Sequence, residues 1–493
     1  MSKRKRGKRR PAAQRPAAQR PAAQRPAAPR DDPTNGGASG GSWYAGWRRA
    51  VIVALAAAGM VTLVCLVAFR HLWYGFHDVS DTVIYFDYAT RMARGFRPYR
   101  DFSVEYPPLA VPLFRLPGHT DDLRGYMSAF SAVMEVATAA AAAVTAAAAA
   151  LLWRDRWRPY LAGAAFAVAV TFTGALIANR YDAVVALDVA LFLLFLAKRW
   201  YSAAAVVIGL GFALKLTPVI LLPLVFLLDP RLPWIALRAA YFAVAAFLPF
   251  VPYLAHGTKG LEYVFTYHLE RPLQIESVLT TPFWIGRLTD GLVLQVGSDY
   301  GSQFLIVTNP HASWWALHGL LTPDRMKNAS GWLTVAALTA VYVLAWRRRE
   351  TLRTSPNLVP VAVLGLILAF MAFGKVLSPQ FLIWMIPAVA LVVIERRVLG
   401  ALCLAALFLT QLMFPFHYWD LVEFTPDQPV AGWWEFRWAF SILDRLGFES
   451  LYAAQVLVVR NLLVLAAFGC ALWALWRLPA ALRRDPDEPA GLL

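Results

Sequence analysis

From residue 50 onward the sequence is cut into apolar runs of about twenty residues, the length a helix needs to cross the hydrocarbon core of a bilayer. A rough count finds ten to twelve of them, separated by turns rich in Arg. Lipid offers no water to backbone amides and carbonyls, so such runs must close their hydrogen bonds internally, as helices. The fold class follows: an all-α polytopic membrane protein, a bundle of about ten to twelve transmembrane helices. With 59% hydrophobic and only 16% charged residues, a soluble domain is excluded.

The formal net charge of +16 invites a nucleic-acid reading, which its distribution removes. Residues 1–30 hold eleven Lys and Arg and no acid, leaving +5 for everything else. After a basic start this tail repeats Pro-Ala-Ala-Gln-Arg at 11–15, 16–20 and 21–25, and ends Pro-Ala-Ala-Pro-Arg at 26–30. Such a segment cannot bury a core, so residues 1–47 are expected to be a disordered cytoplasmic tether for anionic headgroups. The run at 50–69 is a full span, too long for the core of a cleaved signal peptide. Cys65, Cys403 and Cys470 sit in separate apolar runs, and the histidines show no ligand spacing. Neither a disulfide framework, a metal site nor another cofactor is expected.

Lys and Arg collect on the cytoplasmic side of membrane spans, and this rule orients the chain. Spans are read at 50–69, 126–152, 160–178, 183–197, 239–254, 332–346, 359–373, 381–394 and 398–414, with a last one ending at Trp476. The run 203–228 is too long for one simple span and is broken by Lys215-Leu216-Thr217-Pro218; it reads as two short helices meeting near the outer face. Every Arg-rich turn then falls inside: Arg48-Arg49, Arg154 to Arg158, Lys198-Arg199, Arg231 with Arg238, Arg347 to Arg349, Arg396-Arg397 and Arg483-Arg484. The membrane domain covers 48–478, a second cytoplasmic tail 479–493, and two long loops, 70–125 and 256–330, lie outside.

The outer side holds groups that a lipid-embedded scaffold does not need. Asp78, Asp81 and Glu105 stand among aromatics and prolines in the first loop. Residues 81–95 place Val83, Tyr85 or Phe86, Ala89 and Met92-Ala93 at helical spacing, which predicts an amphipathic helix on the membrane surface. Pro107-Pro108 opens a second apolar stretch to Leu116. His417-Tyr418-Trp419-Asp420 and Trp433-Trp434 read as an interfacial aromatic belt. Glu135 and Asp188 lie inside spans, where buried acids suggest function or a polar partner.

A sugar hydroxyl is a poor nucleophile and needs a carboxylate to take its proton. A departing lipid phosphate gains charge and needs cations placed to meet it. Arg offers a bidentate fork, Lys a point charge. The same face supplies both kinds of group: Asp78, Asp81 and Glu105 against Arg180, Lys215, Arg271 and Lys375. A polyprenyl-lipid or solute transporter (or flippase) would instead place its polar site near the midplane, between internal repeats. A non-catalytic scaffold leaves the convergence of acids and cations unexplained.

Taken in order, these motifs resemble the polyprenol-phosphate-sugar-dependent membrane glycosyltransferases of the GT-C class. The likeness extends in particular to the actinobacterial family 87 glycosyltransferases, mostly mannosyltransferases, and more distantly to the catalytic mannosyltransferase of GPI-anchor synthesis. It rests on Asp81-Thr-Val-Ile-Tyr85, Pro98-Tyr99 with Glu105-Tyr-Pro-Pro-Leu109, Asn179-Arg180-Tyr181-Asp182 and Leu214-Lys215-Leu216-Thr217-Pro218. Arg271-Pro-Leu-Gln-Ile-Glu-Ser277 and Lys375-Val-Leu-Ser-Pro-Gln380 through Trp384 complete it, so that it covers residues 50 to about 415. The resemblance implies transfer of a hexose, mannose by family, from a polyprenyl-phosphate donor to a glycolipid or glycan acceptor at the outer face of the plasma membrane. It implies Asp81 as general base. Many GT-C enzymes carry Asp-x-Asp where this chain has Asp78-Val-Ser-Asp81, so Asp78 either shares the role or neighbours it. Arg271 and Lys375, then Lys215 and His268, are the candidates for the phosphate. Glu105, Gln274 and Glu276 are candidates for sugar hydroxyls, and Arg180, Asp182 and Gln380 for further substrate contacts.

Each residue also has a plainer reading. Asp81 precedes a helix and can cap it. Glu105 can pair with Arg97 or Arg100. Arg180 and Asp182 read first as an ion pair closing a tight turn. Lys215 can snorkel to the headgroups. Lys375 opens a helix, where a cation opposes the dipole and a phosphate partner is the better explanation.

Overall fold

The computed structural model describes residues 38–69, 80–118, 122–174, 176–255, 258–290, 292–308, 321–416, 418, 421 and 453–478. The expectations for the basic repeats, Asp78, Trp433-Trp434 and residues 479–493 fall outside them. The chain divides into two units, Met1–Gly46 and Trp47–Leu493, and the helical bundle belongs to the second.

That unit is an all-α polytopic membrane protein. Among the described residues, seven helices are long and apolar enough to cross a membrane: Trp47–Val67, Leu123–Leu152, Leu232–Leu254, Pro323–Arg347, Pro356–Phe373, Arg397–Phe414 and Ala453–Trp476. Shorter apolar helices, Arg158–Thr173, Asp182–Ala197, Tyr201–Lys215, Thr217–Leu228 and Pro379–Val392, fill in between them. Pro356–Phe373, 72% buried, is central, whereas Leu232–Leu254 and Pro323–Arg347, 17% and 22% buried, turn most of their apolar surface outward. Two of the long helices open on side-chain caps: Asp122 Oδ1 accepts from the Gly125 amide at 2.7 Å at the start of Leu123–Leu152, and Thr322 caps Arg325 with Pro323 next in line.

Two of these shorter helices, Arg158–Thr173 and Tyr201–Lys215, end in breaks that deliver charge to one end of the bundle. Arg158–Thr173 ends at Gly174, whose φ of +61° lies in the region that favours glycine. A Cβ there would also lie 2.4–2.6 Å from the Gln411 side-chain amide, which would have to move aside. Beyond it the four-residue helix Leu176–Asn179 leads into Arg180-Tyr181 and the helix Asp182–Ala197. Tyr201–Lys215 breaks at Leu216, φ 38°, and restarts as a tight turn at Thr217–Leu221. Pro218 has no amide to continue the ladder, which makes this break local in origin.

At the opposite end the Arg-rich turns lock onto one another. Glu395 receives Trp153 Nε1 at 2.8 Å, Asn357 Nδ2 at 3.0 Å and Arg158 Nη1 at 3.2 Å. Asp229 is held by Arg231 and Arg238 at 2.6 and 2.7 Å. Arg49 donates to the Arg154 carbonyl, Arg199 to that of Arg353 and Arg348 to that of Trp476.

The surface helix expected at 81–95 is present as Thr82–Ala93, with a different buried face. Thr82, Tyr85 and Tyr88 are inside, while Val83 and Ile84 are exposed. The tyrosines turn inward because an aromatic core receives them: Tyr85 stacks on Phe114 at 4.4 Å and touches Phe130 at 5.1 Å. The second apolar stretch becomes the short helix Val111–Arg115.

Candidate active site

Asp81 stands immediately before Thr82–Ala93 yet makes no capping bond; Ser80 Oγ takes the Thr82 amide at 3.2 Å instead. Its carboxylate reaches Arg180 Nε at 3.2 Å. Arg180 is buried and also lies over the Phe414 ring, 5.9 Å from its centroid. Asp182, two residues on, turns to Lys215 Nζ at 2.6 Å and to Trp384 Nε1, also at 2.6 Å. The ion pair expected within the turn is therefore absent: Arg180 and Asp182 reach outward to two different elements. A two-residue separation at a helix start points the two side chains apart, and better partners stand across the bundle. Lys215 does not snorkel; it sits in a cage of Tyr181, Trp384 and Phe381, 4.6, 5.2 and 5.5 Å from the ring centroids.

The segment from Pro98 to Pro108 positions Glu105. Tyr99 adopts φ 64°, a left-handed conformation that costs a non-glycine residue on the order of 1 kcal/mol, and its hydroxyl donates to the Tyr106 carbonyl at 2.6 Å. The helix Lys259–Glu270 docks so closely here that a Cβ on Gly260 would strike the Tyr99 carbonyl. Glu105 accepts from the Tyr88 hydroxyl and pairs with neither Arg97 nor Arg100; Arg100 pairs with Asp101. Burial pushes its carboxyl up, and the Tyr88 bond pulls part of that back. His268 faces the Glu105 backbone; burial, then Arg271 and Lys215, hold its imidazolium down to about 4, so it is neutral at pH 7.

Residues 271–277 form a strap pinned from several sides. The Gln274 amide donates to the Lys375 carbonyl and the Ile275 amide to that of Gln303, both at 3.0 Å. Ser277 Oγ donates to the Gly374 carbonyl at 2.8 Å, and the Gln274 amide side chain meets Ser378 Oγ at 3.2 Å. Gln303 belongs to the antiparallel hairpin of Leu294–Asp299 and Ser302–Val307, whose turn presents Gly301 O to Arg271 at 3.5 Å. Arg271 lies over Tyr267 at 5.5 Å. Lys375 Nζ bonds the Leu269 carbonyl; burial, Lys327 and Arg271 push its ammonium down to about 8. Glu276 is buried, and that burial pushes its carboxyl up to about 7 against the pull of Arg460, Arg271 and Tyr418.

These groups share one end of the bundle. Tyr267 feels the charges of Arg271, Glu105 and Asp81, and Tyr418 those of Glu276, Arg180 and Arg271. Gln380 is partly exposed at the start of Pro379–Val392. Asp188 is buried farther along Asp182–Ala197, beside Gly211, and joins none of the pairs. Among the described residues no three His, Cys, Asp or Glu side chains gather as a metal site would require. A cavity of about 150 Å³ bounded by Phe86, Ala89, Arg115 and Tyr126 lies along the flank of Thr82–Ala93 and is lined by none of the charged pairs. Sequence reasoning gave no role to Tyr88, Lys327, Arg460 or Asn461, and took Trp384 only as the end of the Lys375 motif. An Arg-Asn pair inside the apolar final helix was the signal available for Arg460 and Asn461.

Fold and site together define a polytopic membrane protein with acids and cations, supplied by separate helices and loops, converging at one end of its bundle. Residues 104–373, more than half of the chain, match the model of glycosyltransferase family 87, and the chain belongs to that family. It is a membrane glycosyltransferase. The match takes in Glu105, Arg180, Asp182, Lys215, His268, Arg271, Gln274 and Glu276, and leaves Asp81, Lys375 and the final helix outside. No curated protein matches the chain.

Proposed function

We propose that the protein transfers a hexose, mannose by family habit, from a polyprenyl-phosphate donor to a hydroxyl of a lipid- or polymer-linked acceptor. The site faces the outer side of the plasma membrane, both termini face the cytoplasm, and the reaction is an inverting displacement with Asp81 as general base. The acceptor oxygen bonds to the sugar C1 as its proton passes to Asp81. The bond from C1 to the phosphate oxygen breaks, and the electron pair leaves with the polyprenyl phosphate.

One observation carries the choice of base. The Asp81 side chain keeps 27% of its exposure while Arg180 holds it; that of Asp182 keeps 1% and is closed in by Lys215 and Trp384. Asp81 is thus the acid of the two pairs that an incoming hydroxyl can reach. Arg271 and Lys375 meet the leaving phosphate as its charge grows, with neutral His268 donating a hydrogen bond. Lys215 acts through Asp182, and Arg180 orients Asp81. Glu105, Gln274 and Glu276 take sugar hydroxyls, and Gln380 borders the same opening. Asp78 stands three residues before the base, where it can share the role.

Membranes supplied with labelled polyprenyl-phosphate mannose test this. Asp81→Asn should abolish transfer, by about 10²- to 10⁴-fold, with normal protein levels. Retained transfer removes Asp81 from the mechanism.

A further inference from the structure

Arg460 is the only charged residue in the 24-residue helix Ala453–Trp476, and Asn461 follows it. Both are fully buried. A charge within a membrane-length helix is costly, and its partner shows what it is for. Here the partners all belong to the strap of the candidate site and its continuation. Arg460 Nη2 donates to the Glu276 carbonyl at 3.0 Å; Asn461 Nδ2 donates to the Ser277 carbonyl at 3.2 Å and to Thr281 Oγ1 at 2.9 Å. Residues 374–375 and the hairpin grip the strap elsewhere, so the last helix is its third anchor. Arg460 Nε and Nη1 and Glu276 Oε2 keep hydrogen-bonding capacity that no described residue uses.

We propose that Arg460 and Asn461 are positioning residues of the active site, set on a helix outside the family-matched region. They fix the Glu276-Ser277 backbone, and the Arg460 charge keeps the Glu276 carboxylate ready to accept a hydrogen bond from a substrate hydroxyl. This rests on the glycosyl-transfer reading above. Among the described residues, the charged and titratable groups facing Glu276 are Arg460 from the last helix, Arg271 from its own segment and Tyr418 beyond Arg397–Gln411. The strand Ser302–Val307 adds only the neutral Gln303, whose Oε1 accepts from Tyr418. Loss of the Arg460 charge favours the protonated carboxyl and raises the pH at which Glu276 ionises.

The test is kcat/KM against pH in membranes holding the full-length wild type, Arg460→Gln, Arg460→Lys, Glu276→Gln and Asp81→Asn. The wild type should show an acid limb near pH 7. In Arg460→Gln that limb should move up by about one pH unit, with roughly a fivefold loss at pH 7 and about tenfold well below it. Arg460→Lys should return it to the wild-type position, and Glu276→Gln should abolish it. A limb unmoved in Arg460→Gln, or wild-type rates and profile in Glu276→Gln, overturns the proposal. The second criterion holds even if Arg460→Gln fails to accumulate. An inactive Asp81→Asn with a fixed limb defeats the positioning role alone; an active Asp81→Asn with a moving limb defeats only the choice of base.

Discussion

The two ends of the bundle use the same residue types to opposite effect. At the Arg-rich end, acids are saturated: Glu395 receives three donors and Asp229 two arginines, and the unpartnered buried atoms there are donors, Arg238 Nε and Arg396 Nε. At the site end, among the described residues, buried atoms of both kinds are left over: acceptors such as Asp182 Oδ2, Glu276 Oε2, Asn179 Oδ1 and Asn461 Oδ1, and donors such as Arg271 Nε, Arg460 Nε and Arg460 Nη1. Each such group costs about 1–3 kcal/mol if nothing satisfies it. A bundle that needed only stability would not concentrate that cost at one end. The saturated end reads as a clamp between turns, the unsaturated end as a place where substrate hydroxyls and phosphate complete the hydrogen bonds.

The largest test of that contrast is the Asp182–Lys215 pair. Neutralising one partner, Asp182→Asn or Lys215→Met, leaves the other charge buried and should cost about 3–5 kcal/mol in thermal unfolding of the detergent-solubilised protein. The double variant should recover most of the loss. Equal losses in single and double variants would show that the pair is not coupled.

A smaller effect is expected from pH. Lys375 sits depressed to about 8, so its ammonium is present below that pH and lost above it. Donor capture, read as kcat/KM, should therefore fall as pH rises through about 8, and Lys375→Arg should remove that limb. His268, neutral above about 4, should contribute no limb between. A limb that persists in Lys375→Arg would assign it to another group.

The smallest effect belongs to the other end. Glu395→Gln keeps an acceptor for Trp153 and loses only a partly exposed charge, so it should cost about 1 kcal/mol of stability and leave kcat unchanged. A drop in kcat per folded molecule would break the division of labour between the ends.

Local chemistry was readable from the sequence. The break after Lys215 follows from Pro218, the surface helix from the periodicity of residues 81–95, and the Arg-rich turns from their charge. Pairings were not, because they join residues 17 to roughly 200 positions apart. Arg180 and Asp182 look like partners in a one-dimensional reading, and only the packing of separate helices sends one to Asp81 and the other to Lys215. Tyr88 resembles one more aromatic on an amphipathic face until the core at Phe114 draws it in beside Glu105. Arg460 was hidden for a different reason: hydropathy averaged over a span absorbs one charge, although that charge is what a membrane helix least tolerates.

The most direct measurement is a cryo-EM structure with a non-transferable polyprenyl-phosphate sugar bound. The account predicts the phosphate between Arg271 and Lys375, with the sugar's C1 facing an open path to the Asp81 carboxylate. A phosphate held among the Arg-rich turns near Glu395, or in the cavity beside Arg115 with Asp81 turned away, would contradict it.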